Sequence, residues 1–185
     1  MLIGKRIKLS PIKREYIESF LKWFNDPEIT QYLIMYRPLT RMEEEDWIEN
    51  LKNREDTIAF SIIISDEDIL EKLIGGCDLH NINWKNRVAE LGIVIGEKEY
   101  QNEGLGTEAI ELLLEYGFNT VNLNRIEIVV YDYNARAIKS YTKVGFIEEG
   151  TKRQFMWHNG SYHDAIIMGI LAEEWREKKE VRTYS

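Results

Sequence analysis

Three apolar, β-branched runs separated by short connections are the feature that most limits what this chain can fold into. They are TIAFSIII (57–64), KLIGGCDLHNI (72–82) and VAELGIVI (88–95). Each has the length and composition of a strand. Turn residues at Asp66–Asp68 and Lys85–Asn86 separate them, and connections this short join antiparallel neighbours. The runs therefore predict an antiparallel meander, with Gly75 and Gly76 marking a bulge or a close approach of another backbone.

Helical and strand patterns surround this meander. Apolar residues at helical spacing predict a helix from about 105 to 119. Before the meander, periodicity and turn residues predict a strand in KRIKLS (5–10), a helix ended by Asn25-Asp26-Pro27, and a helix after the Thr40/Glu43 capping box with Trp47, Ile48 and Leu51 on one face. After the glycine stretch they predict a strand at 125–131, a helix at 135–143 between Asn134 and Gly145, and a strand from Phe146. The remaining elements are a hairpin at Asn159-Gly160, a strand at 162–171 and a charged, fraying helix at 172–185. We expect one domain, residues 1–185.

The charge balance limits the classes of partner. The chain has 24 Lys and Arg against 32 Asp and Glu, a net charge of -8. This argues against a nucleic-acid-binding protein, because such proteins present a basic face. The acidic excess mildly favours cationic partners, and the competing interpretation is that the charge only keeps the protein soluble. No run approaches the roughly 18 apolar residues of a membrane span, and residues 1–6 lack the apolar core of a signal peptide. We therefore expect a cytoplasmic protein with no membrane partner.

Cysteine and histidine are too scarce for two further kinds of site. Cys77 is the single cysteine, so an intrachain disulfide is excluded, and its apolar neighbours favour a small buried side chain over a nucleophile. The three histidines are scattered along the chain. With one cysteine they do not make a metal site, and we expect no bound metal.

The stretch QNEGLGTEA (101–109) poses the question of which phosphate it binds. Gly104, Gly106 and Ala109 fit the dinucleotide pattern G-x-G-x-x-G/A. That fingerprint needs its first glycine where a strand becomes a helix, whereas residues 97–103 intervene here. A P-loop is excluded because no Gly-Lys-Ser/Thr follows. Glycines at the start of a helix still let a pyrophosphate approach unpaired backbone amides.

Two longer segments place these glycines in a known context. AELGIVIGEKEYQNEGLGTEAIELLLEYGF (89–118) resembles the acetyl-CoA-binding motif of the GNAT superfamily of N-acetyltransferases, whose Arg/Gln-x-x-Gly-x-Gly/Ala pattern is met by Gln101, Gly104 and Gly106. NARAIKSYTKVGF (134–146) is similar to the family's next motif, and WFNDPEITQYL (23–33) to the opening of its ribosomal-protein alanine N-acetyltransferase branch. The spermidine acetyltransferases share much of this layout.

The resemblance implies a fold and a reaction. The fold is α/β (α+β): a central, mixed, mostly antiparallel twisted sheet of about six or seven strands, flanked by helices. The strands at 88–95 and 125–131 would form a splayed parallel pair, with Gly92 as a bulge. The reaction is direct attack of a primary amine on the thioester of acetyl-CoA, with no metal cofactor. An inactive acyl-CoA-binding module is the alternative from another class.

The resemblance also implies which residues hold acetyl-CoA. Backbone groups of the third strand would pair with the pantetheine arm, and the glycine loop and the helix after Asn134 would hold the phosphates and orient the cosubstrate. The residues so assigned are Ile93, Val94, Ile95, Gln101, Asn102, Glu103, Gly104, Leu105, Gly106, Thr107, Asn134 and Lys143.

Two proton transfers need catalytic groups. An alkylamine is mostly protonated at neutral pH, so a base must take its proton. Glu90 is the candidate, and a solvated or substrate-orienting Glu90 is the competing interpretation; Asp78 and His80 are weaker candidates. Tyr141 matches the tyrosine that many relatives use as the general acid for the leaving thiolate. Its competing interpretation is a buried aromatic residue.

The acceptor amine stays open between two classes. A protein N-terminus, with a ribosomal protein as implied target, is the first hypothesis, and a polyamine or other small amine is the second. Acids around the first two helices keep the polyamine open: Asp26, Glu28, Glu43, Glu44, Glu45 and Asp46. CDLHNIN (77–83) lacks a glutamate that spermidine enzymes tend to place there, which weakens it. Dimers are frequent among relatives, but no sequence feature here indicates one, so the oligomeric state stays open.

Overall fold

One mixed sheet runs through the part of the chain that the computed structural model describes, residues 1–65 and 71–183. Its strands are β1 (Leu2–Ile3), β2 (Ile7–Pro11), β3 (Ile58–Ile64), β4 (Lys72–Asn83), β5 (Val88–Ile95), β6 (Arg125–Tyr131), β7 (Ile147–His158) and β8 (Ser161–Leu171). They lie in the order β1-β2-β3-β4-β5-β6-β8-β7. Only β5 and β6 pair in parallel; the other neighbours are antiparallel.

Six α-helices flank this sheet in the same ranges: α1 (Ile17–Phe24), α2 (Pro27–Thr30), α3 (Arg41–Asn50), α4 (Leu105–Asn119), α5 (Ala135–Val144) and α6 (Ala172–Thr183). Side chains of α4, α5 and α6 join the main core against one face of the sheet, where Leu113, Tyr141 and Trp175 are buried. A smaller cluster around Phe20 and Trp23 packs α1 and α2 against the other face.

The predicted meander and the GNAT-like fold are confirmed. β3, β4 and β5 are consecutive antiparallel neighbours, and the parallel pair β5–β6 lies where it was expected. The sheet has eight strands rather than six or seven. The additional strand is β1, a two-residue edge strand that is too short for apolar alternation to reveal.

Several local predictions are confirmed as well. α4 spans Leu105–Asn119, and the side chain of Asn134 caps α5 by accepting from the Ala137 amide at 3.2 Å. The capping box joins Thr40 and Glu43 in both directions. β7 and β8 form a hairpin in which His158 pairs with Ser161. The predicted turn at 66–68 lies outside the described residues.

The glycines of β4 and β5 differ from the prediction in one respect. Gly75 is a point of close approach, since a Cβ there would lie 2.1 Å from the Val94 carbonyl oxygen. The predicted bulge at Gly92 is wrong, because the β4–β5 register runs without a shift from Gly75↔Ile95 to His80↔Glu90. Gly92 instead leaves room for its cross-strand neighbour Asp78, whose carboxylate oxygens would lie 3.0 Å from a Cβ.

Two helices also depart from their predicted character. The buried residue of α3 is Glu44, while Trp47 and Ile48 are only half-buried, because the inner side of this helix faces a cavity rather than packed side chains. The charged helix at the end of the chain is anchored, since Trp175 of α6 is fully buried in the main core. Because most residues of this segment are charged, the sequence pattern did not indicate that one large apolar side chain anchors it.

Candidate active site

A cleft of about 440 Å³ lies between the end of β5, the start of α4 and one side of α5. Ten of the twelve residues assigned to acetyl-CoA line it: Ile93, Val94, Ile95, Gln101, Asn102, Gly104, Gly106, Thr107, Asn134 and Lys143. Glu103 and Leu105 are not among the lining residues. The Glu103 side chain is exposed and its carbonyl accepts from Arg6, while the Leu105 side chain is buried in the main core. Both therefore offer only backbone groups on this side.

The start of α4 is built to receive an anion. Gly104 is its N-cap with a φ of 78°, and no side chain caps the first turn. Amides of an uncapped first turn carry partial positive charge and attract phosphate. At Gly106 a Cβ would touch only Ile95 Cγ1 at 3.6 Å, an ordinary contact. The protein's own packing does not demand glycine there, whereas a ligand lying against the backbone would.

Basic side chains on α5 add positive charge beside this helix start. Arg136, Lys139 and Lys143 all line the cleft, and their spacing places them on one side of the helix. Only Lys143 was assigned from the sequence. The spacing of Arg136 and Lys139 relative to Lys143 was the signal that could have found the other two. The charge and the amides together suit a polyphosphorylated nucleotide.

Polar contacts tie the three walls of this cleft together. Gln101 Nε2 donates to the carbonyl oxygen of Ile95 at 2.8 Å, and Gln101 Oε1 accepts from Arg136 at 3.0 Å. Thr107 of α4 and Ser140 of α5 share a hydroxyl hydrogen bond of 2.8 Å. These contacts fix the glycine loop relative to β5 and α5, so that the cleft is held open by the fold itself.

Tyr141 lies at the inner end of this cleft. It is 9% exposed and belongs to the main core, yet it lines the cleft. Burial raises the pKa of the Tyr141 hydroxyl to about 12. The phenol therefore keeps its proton throughout the neutral range, as a proton donor must.

Glu90 stands where the parallel strands separate. The β5–β6 pairing ends at Glu90↔Glu127, and Glu90 Oε1 accepts from Asn81 Nδ2 at 3.0 Å. The other oxygen lies 3.7 Å from His80 Nε2. His80 Nδ1 is 2.5 Å from Asp78 Oδ1. The hydrogen bond that the His80 ring donates to the Asp78 carboxylate raises the pKa of His80.

A second cavity, of about 750 Å³, lies on the α1 and α3 side of β4 and β5. It shares Leu33, Ile93 and Val94 with the first cleft. Most of its lining is apolar: Ile12, Phe20, Phe24, Leu33, Ile34, Met35, Pro38, Leu39 and Trp47 among others. The two cavities therefore meet at Ile93 and Val94 of β5, three and four residues beyond Glu90, where the β5–β6 pairing ends. We call the second one the acceptor cavity.

Charged groups in the acceptor cavity are few and mostly acidic. Glu43, Glu44, Asp78 and His80 line it together with Arg37, whose Nη2 lies 3.4 Å from Glu43. Glu44 is 4% exposed, and burial raises its pKa to about 7. The sequence marked Glu44 only as one of many acids, because its inward direction depends on how α3 sits against the sheet.

Other candidate chemistry falls outside these cavities or is inert. Cys77 lines the acceptor cavity but is buried, and burial raises the pKa of its thiol well above the usual range, so it is not a nucleophile at neutral pH. In residues 1–65 and 71–183, no three His, Cys, Asp or Glu side chains are arranged to hold a metal ion. Over the same ranges no helix is long and apolar enough to cross a membrane.

Comparisons with known proteins agree with this geometry. Residues 6–147 match the family model described as Acetyltransferase (GNAT) domain. The spermidine N(1)-acetyltransferase of Escherichia coli (strain K12) is 30% identical over 169 residues, which cover 91% of this chain and 88% of that protein. The putative ribosomal N-acetyltransferase YdaF of Bacillus subtilis (strain 168) is 36% identical over 107 residues, or 58% of each chain. A crystal structure of spermidine N-acetyltransferase from Vibrio cholerae, in complex with CoA and spermine, matches with a TM-score of 0.84 at 28% identity, covering 92% of this chain and 98% of that one.

Proposed function

This chain belongs to the GNAT family of acetyl-CoA-dependent N-acetyltransferases, and we propose that its acceptor is an aliphatic polyamine of the spermidine class. The observation that carries this proposal is the acceptor cavity, which is apolar along most of its wall and acidic at a few points. Methylene chains pack on the apolar wall, and ammonium groups interact with the carboxylates. The relatives named for spermidine support the same acceptor class.

The residues of the first cleft suit acetyl-CoA, which supplies an acetyl thioester when it is bound. The α4 amides and the basic side of α5 would hold its phosphates. Beyond the splay, backbone groups of Ile93, Val94 and Ile95 have no partner strand on the β6 side, so an extended pantetheine arm can pair with them. A backbone N–H of β5 would polarise the thioester carbonyl.

Glu90 would take the proton of the acceptor ammonium, acting through water. Its carboxylate lies at the splay and next to His80, which lines the acceptor cavity. Asp78 and His80 form the competing base, since they reach the cavity directly. In both cases, the group that removes the proton from the amine lies on β4 or β5.

Tyr141 would return a proton to the sulfur of the leaving CoA. Its ring is buried while the residue lines the first cleft, and its raised pKa keeps the phenol protonated at neutral pH. The proton passes to the sulfur as its bond to the acetyl carbon breaks, and the phenolate left behind regains a proton from solvent before the next turnover.

A protein N-terminal α-amine is the second candidate acceptor. Tyr36 lines the acceptor cavity and is 93% exposed, which offers an aromatic surface to an acceptor larger than a polyamine. The relative named for a ribosomal substrate supports this candidate over its 107 matched residues. An inactive acyl-CoA-binding module is the alternative from another class.

Thiol release from acetyl-CoA separates these candidates. The purified chain is assayed with spermidine, spermine, and peptides that begin with alanine or serine, at matched concentrations. We expect turnover with spermidine or spermine, with kcat/KM at least tenfold above any peptide. Turnover on peptides alone would overturn the polyamine proposal in favour of the second candidate. CoA binding without turnover on either class would favour the binding module.

A further inference from the structure

We propose that Glu44 is a second cation-binding subsite, which holds an ammonium group of the acceptor that is not acetylated. The identity of the acceptor as a polyamine rests on the proposed function. The subsite itself rests on the position of one carboxylate in α3. It makes the acceptor a molecule with at least two positive charges, separated by an aliphatic chain.

Glu44 differs from its neighbours on α3 in its hydrogen bonding. Glu43 accepts from Thr40 in the capping box, and Glu45 lies 3.4 Å from Arg41. Glu44 is buried, and its Oε1 is out of contact with solvent and without a hydrogen-bond partner among the described residues. A buried carboxylate without a partner is costly, and an ammonium ion would supply both the charge and the hydrogen bond that it lacks.

The acceptor cavity connects Glu44 to the reaction point. Gly92, Ile93 and Val94 form its wall at β5, whereas Glu44 and Trp47 form its wall at α3. The side chains between them are mainly apolar, including Phe24 and Leu33. An extended diamine can therefore place one amine at β5 and the other at Glu44, with its methylene groups against the apolar wall.

The other charged groups of the cavity do not take over this role. Arg37 and Glu43 lie within reach of each other at 3.4 Å. Asp78 and His80 are hydrogen-bonded to each other on β4. Both line the end of the cavity beside β5, where the reacting amine would lie. The burial that raises the pKa of Glu44 to about 7 has a measurable consequence: a bound cation favours the ionised carboxylate, so binding releases a proton.

The test compares Glu44→Gln with the wild type on acceptors matched in length. The acceptors are spermidine, straight-chain α,ω-diamines of four to eight carbons, and monoamines of the same lengths. Glu45→Gln is the control, because it removes a carboxylate from the next position on α3, outside the cavity lining. We expect Glu44→Gln to raise KM for the diamines about tenfold or more, and to change KM for the monoamines less than twofold. An equal effect on both series, or no effect, would overturn the subsite.

A binding measurement adds a readout that a merely structural role would not move. Calorimetric titration of the CoA-loaded protein with the best diamine, in buffers of different ionisation enthalpy, should show greater proton release near pH 7 in the wild type than in Glu44→Gln, in which only the His80 end of the cavity can still lose a proton. Thermal unfolding should show Glu44→Gln at least as stable as the wild type, because the unpaired charge is removed. A destabilised variant with unchanged proton release would contradict the proposal.

The two proposals fail in different ways. If no polyamine is turned over, the proposed function falls, and the titration with diamines and monoamines still decides whether Glu44 binds a cation. If spermidine is turned over equally well by the wild type and Glu44→Gln, the function stands and the subsite is overturned.

Discussion

Glu90 of β5 and Glu127 of β6 are the last two residues that pair across the parallel strands. β5 continues for five more residues without β6 beside it. Ile93 and Val94 lie in that stretch, and they line both the first cleft, in which we propose that acetyl-CoA binds, and the acceptor cavity. The end of this pairing therefore sets where the two substrates can meet.

Substituting Gly106 tests the cosubstrate cleft. Gly106→Val should reduce acetyl-CoA affinity at least a hundredfold by titration, because the new side chain fills the space in which the ligand would lie against the α4 backbone. Within the protein, the nearest atom to a Cβ at this position is Ile95 Cγ1, at 3.6 Å. The unfolding midpoint should change little. Gly150→Val is the matched control, since nothing lies within 4 Å of a Cβ there. Retained affinity in Gly106→Val would remove the glycine loop from the site.

Removing the Tyr141 hydroxyl tests the proton donor. Tyr141→Phe should lower kcat by roughly a hundredfold and leave KM for both substrates within a few-fold. Tyr162→Phe, on the exposed β7–β8 hairpin, should behave as the wild type. An unchanged kcat in Tyr141→Phe would make Tyr141 a core aromatic residue only.

The base is tested by comparing two substitutions on neighbouring strands. Glu90→Gln should lower kcat by roughly a hundredfold, because the proton acceptor is lost. Asp78→Asn should leave kcat within a few-fold of the wild type. If Asp78→Asn lowers kcat a hundredfold and Glu90→Gln does not, the Asp78–His80 pair is the base and Glu90 orients the substrate.

Much of the fold can be predicted from residues whose neighbours along the chain decide their structure. Gly104 adopts a positive φ, Thr40 and Glu43 close a capping box, and Asn159-Gly160 turns a hairpin. Glu44, Gly92 and Arg136 could not be placed in this way. Their roles depend on which elements pack over them: α3 over the cavity, Asp78 beside Gly92, and α5 beside the glycine loop.

The pH dependence of stability tests the contact between Asp78 and His80. This contact raises the pKa of His80 above its ordinary value of 6.5. The stabilisation is thus complete below about pH 6.5 and is lost as pH rises through the folded pKa. Asp78→Asn should therefore lower the unfolding midpoint at pH 6 more than at pH 9. An equal loss at both values would contradict this contact.

Acetyl transfer by the proposed route requires that the two cavities meet at Ile93 and Val94. A conjugate that joins the CoA sulfur to a spermidine nitrogen through an acetyl-length linker tests this directly, because it must occupy both cavities at once. Titration should give a Kd at least a hundredfold below those of CoA and spermidine separately, since the second binding event becomes intramolecular. A Kd no lower than that of CoA alone would mean that the cavities do not converge on one reaction point.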